Sequence, residues 1–147
     1  MFHGRSSAKL DNKGRLKIPS DFRRAILDRY GEGGFYVTSL KGDCARVYPE
    51  RAWDDVIQKL KTQPASSRPI QKFQRLTGYY GKMATMDPQG RVLIHPDLRE
   101  ATGLEGDVIV LGRNTYLEVW DHKRFKEVIK EDLVEAEDED YYAKIDI

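Results

Sequence analysis

The sequence predicts a β-rich α+β fold made of two copies of one unit in a pseudo-twofold, single-core arrangement. Three observations carry that expectation. The stretch "LDNKGRLKIPSDFRRA", residues 10–25, returns as "MDPQGRVLIHPDLREA" at 86–101, so that at an offset of 76 Asp11 meets Asp87, Gly14 meets Gly90, Arg15 meets Arg91 and Ile18 meets Ile94. The segment after each copy also repeats, with Val47 matching Val119, Trp53 matching Phe125 and Val56-Ile57 matching Val128-Ile129, now at an offset of 72. Finally, a unit of short hairpins and a helix exposes too much apolar surface to be stable alone, and 147 residues suit two such units closed over one core.

Each element has a local reason. Ser7 to Leu10 leads into Asp11-Asn12-Lys13-Gly14, a turn sequence with an aspartate able to cap backbone N–H groups and a glycine free to take positive φ. Arg15 to Ile18 alternates as a half-buried strand does, Leu16 and Ile18 on one face and Arg15 and Lys17 on the other. Pro19-Ser20 breaks the strand and offers an N-cap, "DFRRAILDRY" places Phe22, Ala25 and Ile26 at helical spacing, and Gly31 stops the helix. "FYVTSL", a Lys41-Gly42-Asp43 turn and "ARVY" predict a hairpin, after which Pro49 opens a helix striped by Trp53, Val56, Ile57 and Leu60. "TQPASSRP" reads as a linker, followed by a helix over "PIQKFQRL" with Ile70, Phe73 and Leu76 on one side. The second unit repeats the order with "KMATM", "RVLI", "PDLREAT", the hairpin "DVIVLG" and "YLEVW", and the closing helix "DHKRFKEVIKEDL". The slip from 76 to 72 implies four extra residues in the first unit, expected around "GEGG". The expected organisation is a first repeat over 1–61, a linker and linker helix over 62–78, a second repeat over 79–134, and an acidic, flexible tail over 135–147.

Composition narrows the function classes. No run approaches the ~18 apolar residues of a membrane helix, and the N-terminus lacks a basic-then-apolar signal segment. A lone cysteine, Cys44, cannot make an internal disulfide, which fits a reducing cytoplasm, and it reads as structural. The net charge of +1 conceals a division: residues 1–76 hold 16 Lys+Arg against 8 Asp+Glu, and residues 77–147 hold 9 against 16. Such asymmetry hints at an electrostatic binding face, with a merely solvated surface as the alternative. Seven of the ten residues from Glu131 to Asp140 are acidic. His3, His95 and His122 lack metal-ligand spacing, "TGLEGD" is no phosphate loop, and no nucleophile grouping is visible, so neither metal, cofactor nor enzymatic activity is expected.

The tandem of D-x-x-G-R-[VL]-x-I strands, each followed by a short helix and a hairpin, resembles the MraZ family of bacterial transcription regulators. The two halves of its members belong to the AbrB/SpoVT swapped-hairpin superfamily. The likeness covers roughly residues 1–130, including the opening "MFHG" and the linker helix. It implies a double-split β-α-β unit in each half, with flanking helices, and a protein that binds double-stranded DNA in the cytoplasm and on the nucleoid. It implies repression of the division and cell-wall gene cluster that contains its own gene. Binding to short, closely spaced direct repeats and assembly into homo-oligomeric rings belong to the same expectation. Phe35, Tyr116 and Trp120 are apolar candidates for the subunit contacts, with the core as the other reading of Trp120.

The residues support this unevenly. Lys9, Lys13, Arg15 and Lys17 alternate around the first turn, with Arg5 just upstream, and are expected to crowd one edge of a two-stranded ribbon able to enter a DNA groove. Arg15 is the candidate base reader because its planar fork suits a guanine edge; pairing with Asp11 is its other reading. In the second unit Gln89 and Leu93 stand at the positions of Lys13 and Lys17, so Arg91 is the weaker DNA candidate and the Asp87–Arg91 pair is expected to be mainly structural. Asp11, Gly14, Asp87 and Gly90 are read as turn-forming rather than ligand-binding. A rival function is an antitoxin-like superfamily member that binds a partner protein and regulates its own operon. The doubled unit speaks against it and the acidic tail for it.

Overall fold

The computed structural model describes residues 1–147. The first unit runs β1 (Arg5–Leu10), β2 (Arg15–Lys17), α1 (Ser20–Tyr30), β3 (Gly34–Thr38), β4 (Ala45–Pro49) and α2 (Glu50–Lys61). The linker helix α3 (Arg68–Tyr80) comes next. The second unit repeats the order as β5 (Lys82–Thr85), β6 (Arg91–Leu93), α4 (Pro96–Thr102), β7 (Gly106–Arg113), β8 (Tyr116–Asp121) and α5 (His122–Glu131), and α6 (Ala136–Lys144) ends the chain. The two units therefore share one topology.

Their strands do not form two sheets. All eight belong to one sheet in the order β5-β3-β4-β8-β7-β1-β2-β6, with every pairing antiparallel. A bridge between Met86, just past β5, and Val92 in β6 brings the two outer strands together and nearly closes a barrel. The units are interleaved within it: β1 pairs along its whole length with β7, β3 with β5, and β2 with β6. Leu16 faces Val92, and Arg46 faces Glu118. Each of these pairs joins equivalent positions of the repeat, so the pseudo-twofold axis passes through both.

The core arises from the alternation. Inward positions Leu16, Ile18, Val37 and Val47 meet their counterparts Val92, Ile94, Val110 and Val119 inside the barrel, with Phe2, Phe22, Ile26 and Leu98 closing its ends. All are buried, so the interior is one apolar cluster contributed by both halves. Helices cover the outer face. Trp53 of α2 stacks on Tyr36 at 4.4 Å between ring centroids and on Phe73 of α3 at 6.3 Å. Phe125 of α5 covers Trp120, Ile109 and Cys44 in a second, smaller cluster. The C-terminal carbonyls of α3 find side-chain partners: the Thr38 and Tyr36 hydroxyls donate to Thr77 O at 2.7 and 2.9 Å, and His95 Nε2 lies 2.7 Å from Tyr80 O.

Three local expectations are corrected. The extra residues of the first unit are one more turn of helix, since α1 has eleven residues and α4 seven, while "GEGG" is a short connection like its counterpart. Ser20 is the first residue of α1 and caps nothing; Pro19 occupies the N-cap. Phe35, suggested for subunit contacts, is only 2% exposed because the barrel buries it, while Trp120 takes the core alternative, covered by α5. Within the acidic C-terminal segment, α6 is opened by a capping box in which Glu135 and Asp138 exchange side-chain to backbone hydrogen bonds. No residue of α6 is buried.

Candidate nucleic-acid interface

Both D-x-x-G-R turns are held by the same bonds. Asp11 Oδ1 accepts from the backbone N–H of Lys13 at 3.0 Å and of Arg15 at 2.9 Å, while Oδ2 accepts from Arg15 Nε at 2.7 Å. Asp87 does the same with Gln89 N, Arg91 N and Arg91 Nε at 2.9, 2.9 and 2.7 Å. Gly14 and Gly90 close the turns at φ +83° and +80°, where a side chain would be strained. Hydrogen bonds from the arginine backbone and side chain favour the charged carboxylate, so Asp11 and Asp87 both titrate below the ordinary aspartate value of 3.8. In each unit, then, the aspartate and the glycine hold the turn through these bonds and this backbone conformation.

Each turn is also tied to the opposite unit. Ile94 N donates to Gly14 O at 2.8 Å, and Ile18 N donates to Gly90 O at 2.9 Å. Arg91 Nη1 stands 4.0 Å from Asp11 Oδ2. The turns lie at opposite ends of the short β2–β6 ladder, whose outward positions are Arg15, Lys17, Arg91 and Leu93.

The register redistributes the basic candidates. The expected ribbon of strands before and after the turn is barely formed, because β1 and β2 share only the pair Leu10–Leu16. The ribbon that exists joins β2 to β6 of the other unit and faces Lys17 with Arg91 and Arg15 with Leu93. Lys17 and Arg91 therefore form a basic pair on the outer face, and Lys9 lies on β1 next to its one residue paired with β2, Leu10. Lys13 is exposed at the tip of the first turn. Lys9 is paired only loosely, 3.9 Å from Asp107 with both side chains mostly exposed. Arg5 lies farther along β1 opposite Leu111, away from the turn. Sequence spacing ranks Arg91 low because its own neighbours are uncharged; it misses that Arg91's neighbour in space is a lysine of the other unit. Arg15 and Arg91 are alike in their own bonds and in exposure, their side chains 33% and 26% accessible. Each arginine uses Nε on its aspartate.

A closed sheet of two interleaved copies, each bearing an Asp–Arg-locked turn, defines a duplicated swapped-hairpin protein. A family model for the MraZ protein, described also as antitoxin-like, matches residues 1–76 and 82–143. The chain is 43% identical over 144 residues to a transcriptional regulator MraZ of Acidobacterium capsulatum, covering 98% of both chains. It is 42% identical to that of Koribacter versatilis, covering 95% of each, and 37% identical to that of Nitratidesulfovibrio vulgaris strain Miyazaki F, covering 90% of this chain and 89% of the relative. The chain belongs to the MraZ family. No helix is long and apolar enough to cross a membrane.

Proposed function

We propose that the protein is a DNA-binding transcriptional regulator that grips double-stranded DNA with the outer face of β2 and β6 and the first turn. The observation that carries the reading is the outward pair Lys17 and Arg91, joined across the two units, with Lys13 exposed on the first turn and no close acidic partner for either lysine. Lysines act as point charges toward phosphates, and an arginine with free Nη groups suits a base edge. Arg15 is assigned to base reading, Lys9, Lys13 and Lys17 to phosphates, and Arg5 and Arg91 to supporting contacts. The relatives' name, transcriptional regulator, supports the class. Within it the finer reading is a bacterial, nucleoid-associated repressor of the division and cell-wall genes that include its own, acting on short direct repeats as a ring of subunits.

Gel-shift and salt titrations on the protein's own upstream DNA and on an unrelated fragment test this. Arg15→Ala is expected to cost on the order of 1–3 kcal/mol per contact and to erase preference for the operator. A folded Arg15→Ala protein that still prefers the operator as strongly as the wild type removes the assignment. The antitoxin-like description of the family supports a second reading, in which the protein also binds a partner protein. Co-expression with the product of the adjacent gene, followed by co-purification, tests that reading.

A further inference from the structure

The repeat contains a second matched arginine, which the DNA reading does not use. Arg23 on α1 and Arg99 on α4 stand 76 residues apart, at equivalent positions. Arg99 Nε donates to Ile94 O at 2.9 Å, and its guanidinium lies against Gly14 of the other unit, so close that a Cβ there would stand 2.5 Å from Arg99 Cζ. Ile94 N meanwhile donates to Gly14 O at 2.8 Å. The Gly14 peptide is therefore held by a backbone bond from Ile94 and covered by the arginine bound to that same residue. Arg23 also lies against Gly90 of the other unit, through a different bond: its Nη2 donates to Pro88 O within that turn at 3.4 Å, and its Nη1 would be 2.8 Å from a Cβ on Gly90. Neither arginine has a carboxylate within 4.0 Å, so ion pairing does not account for their placement. A planar cation pressed on a glycine immobilises the backbone there, and only glycine leaves room for it.

We propose that Arg99 is a positioning residue for the Asp11–Arg15 turn and Arg23 for the Asp87–Arg91 turn. The helix of each unit sets the turn conformation of the other. The proposal rests on the DNA-binding reading only for its consequence, which is that a held turn presents Lys13 and Arg15 to DNA without first being ordered.

Amide hydrogen exchange on the full-length protein, with mass spectrometry of peptides covering 10–17 and 86–93, tests the clamp. Arg99→Ala is expected to speed exchange in 10–17 about tenfold while sparing 86–93, as loss of a restraint equal to roughly one hydrogen bond would. Arg23→Ala should do the converse. Arg99→Lys keeps the charge but neither the planar face nor the Nε donor, and should loosen the turn as alanine does. Exchange that rises throughout the protein, or in neither peptide, overturns the proposal, as does wild-type behaviour of Arg99→Lys. On DNA, Arg99→Ala should weaken operator and random fragments about tenfold with the slope of log K on log salt unchanged, because the arginine touches no phosphate. A slope flattened by about one unit would make Arg99 a phosphate contact and overturn the positioning role. If the crosswise exchange pattern emerges while neither Arg99→Ala nor Lys13→Ala affects DNA binding, the clamp stands and the assignment of the first turn to DNA fails.

Discussion

The Asp11–Arg15 and Asp87–Arg91 turns have matching hydrogen bonds, differing by no more than 0.1 Å, yet Lys13 of one is Gln89 of the other and Lys17 of one strand is Leu93 of the other. One molecule thus holds an internal control. Whatever the turn needs in order to form is present twice: an aspartate to accept three hydrogen bonds, a glycine at positive φ, and an arginine to return the aspartate's charge. Whatever is present once is not needed to form it. The lysines of the first unit fall in the second class, which separates their role from folding without any appeal to other sequences. The arginines fall in the first class, so any part they play on DNA is added to a structural one.

The comparison breaks first in the core if it is only geometric. Ile18 and Ile94 are equivalent and both buried, so Ile18→Ala and Ile94→Ala should each destabilise by about 2–5 kcal/mol and by similar amounts. Urea unfolding midpoints measure this, and a large disparity would show that the two halves support the fold unequally. Next come the turn glycines. Gly14→Ala and Gly90→Ala both place a side chain at positive φ, at about 1–2 kcal/mol each. Gly14→Ala should be the costlier, because its Cβ would meet Ile94 O at 2.9 Å, whereas the Gly90 Cβ meets the flexible Arg23 side chain. Thermal melts of the two single variants decide the order.

The charges sharpen the contrast on DNA. Lys13→Ala should reduce the slope of log K on log salt by about one per contacting subunit, on operator and random DNA alike. The reciprocal change, Gln89→Lys with Leu93→Lys, should steepen the slope if the second turn also reaches phosphate, and leave it unchanged if only the first does. Salt titration by fluorescence anisotropy distinguishes them. The smallest effect is common to both turns. Because Asp11 and Asp87 titrate below 3.8 when folded, their contribution to stability is fully present above that value and is lost as pH falls through their lower folded values. Protection from exchange at 10–17 and 86–93, taken relative to the intrinsic rate at each pH, should therefore fall together in acid, and Asp87→Asn should flatten that dependence in its own turn only.

Local order is readable in the sequence: turns, alternating strands and striped helices announce themselves within about ten residues. Strand partners are not, because a period-two pattern states which face is buried and says nothing about which strand lies alongside. Hence spacing along the chain groups Lys17 with Lys13 and Arg15, while in space it faces Arg91. The repeat gives the order of elements, but the four-residue slip points to the glycines although it is a helical turn of "LDRY", whose residues are compatible with either state. Phe35 and Trp120 read as interface because aromatic residues serve cores and interfaces equally well. The charge density from Glu131 to Asp140 masks the capping box that starts α6.

Interleaving has a consequence for the nascent chain. The first strand to leave the ribosome, Arg5–Leu10, pairs with Gly106–Arg113, and Arg15–Lys17 pairs with Arg91–Leu93. At roughly 5–20 residues per second, the earliest strand waits on the order of 5–20 s for its partner. During that time its edge lacks its partner strand, and the apolar Leu10, Leu16 and Ile18 lack the residues of the second half that complete their cluster. A nascent chain in that condition is open to pairing with the same strands of a neighbour on the same message, so two growing copies that exchange units would close equally good barrels.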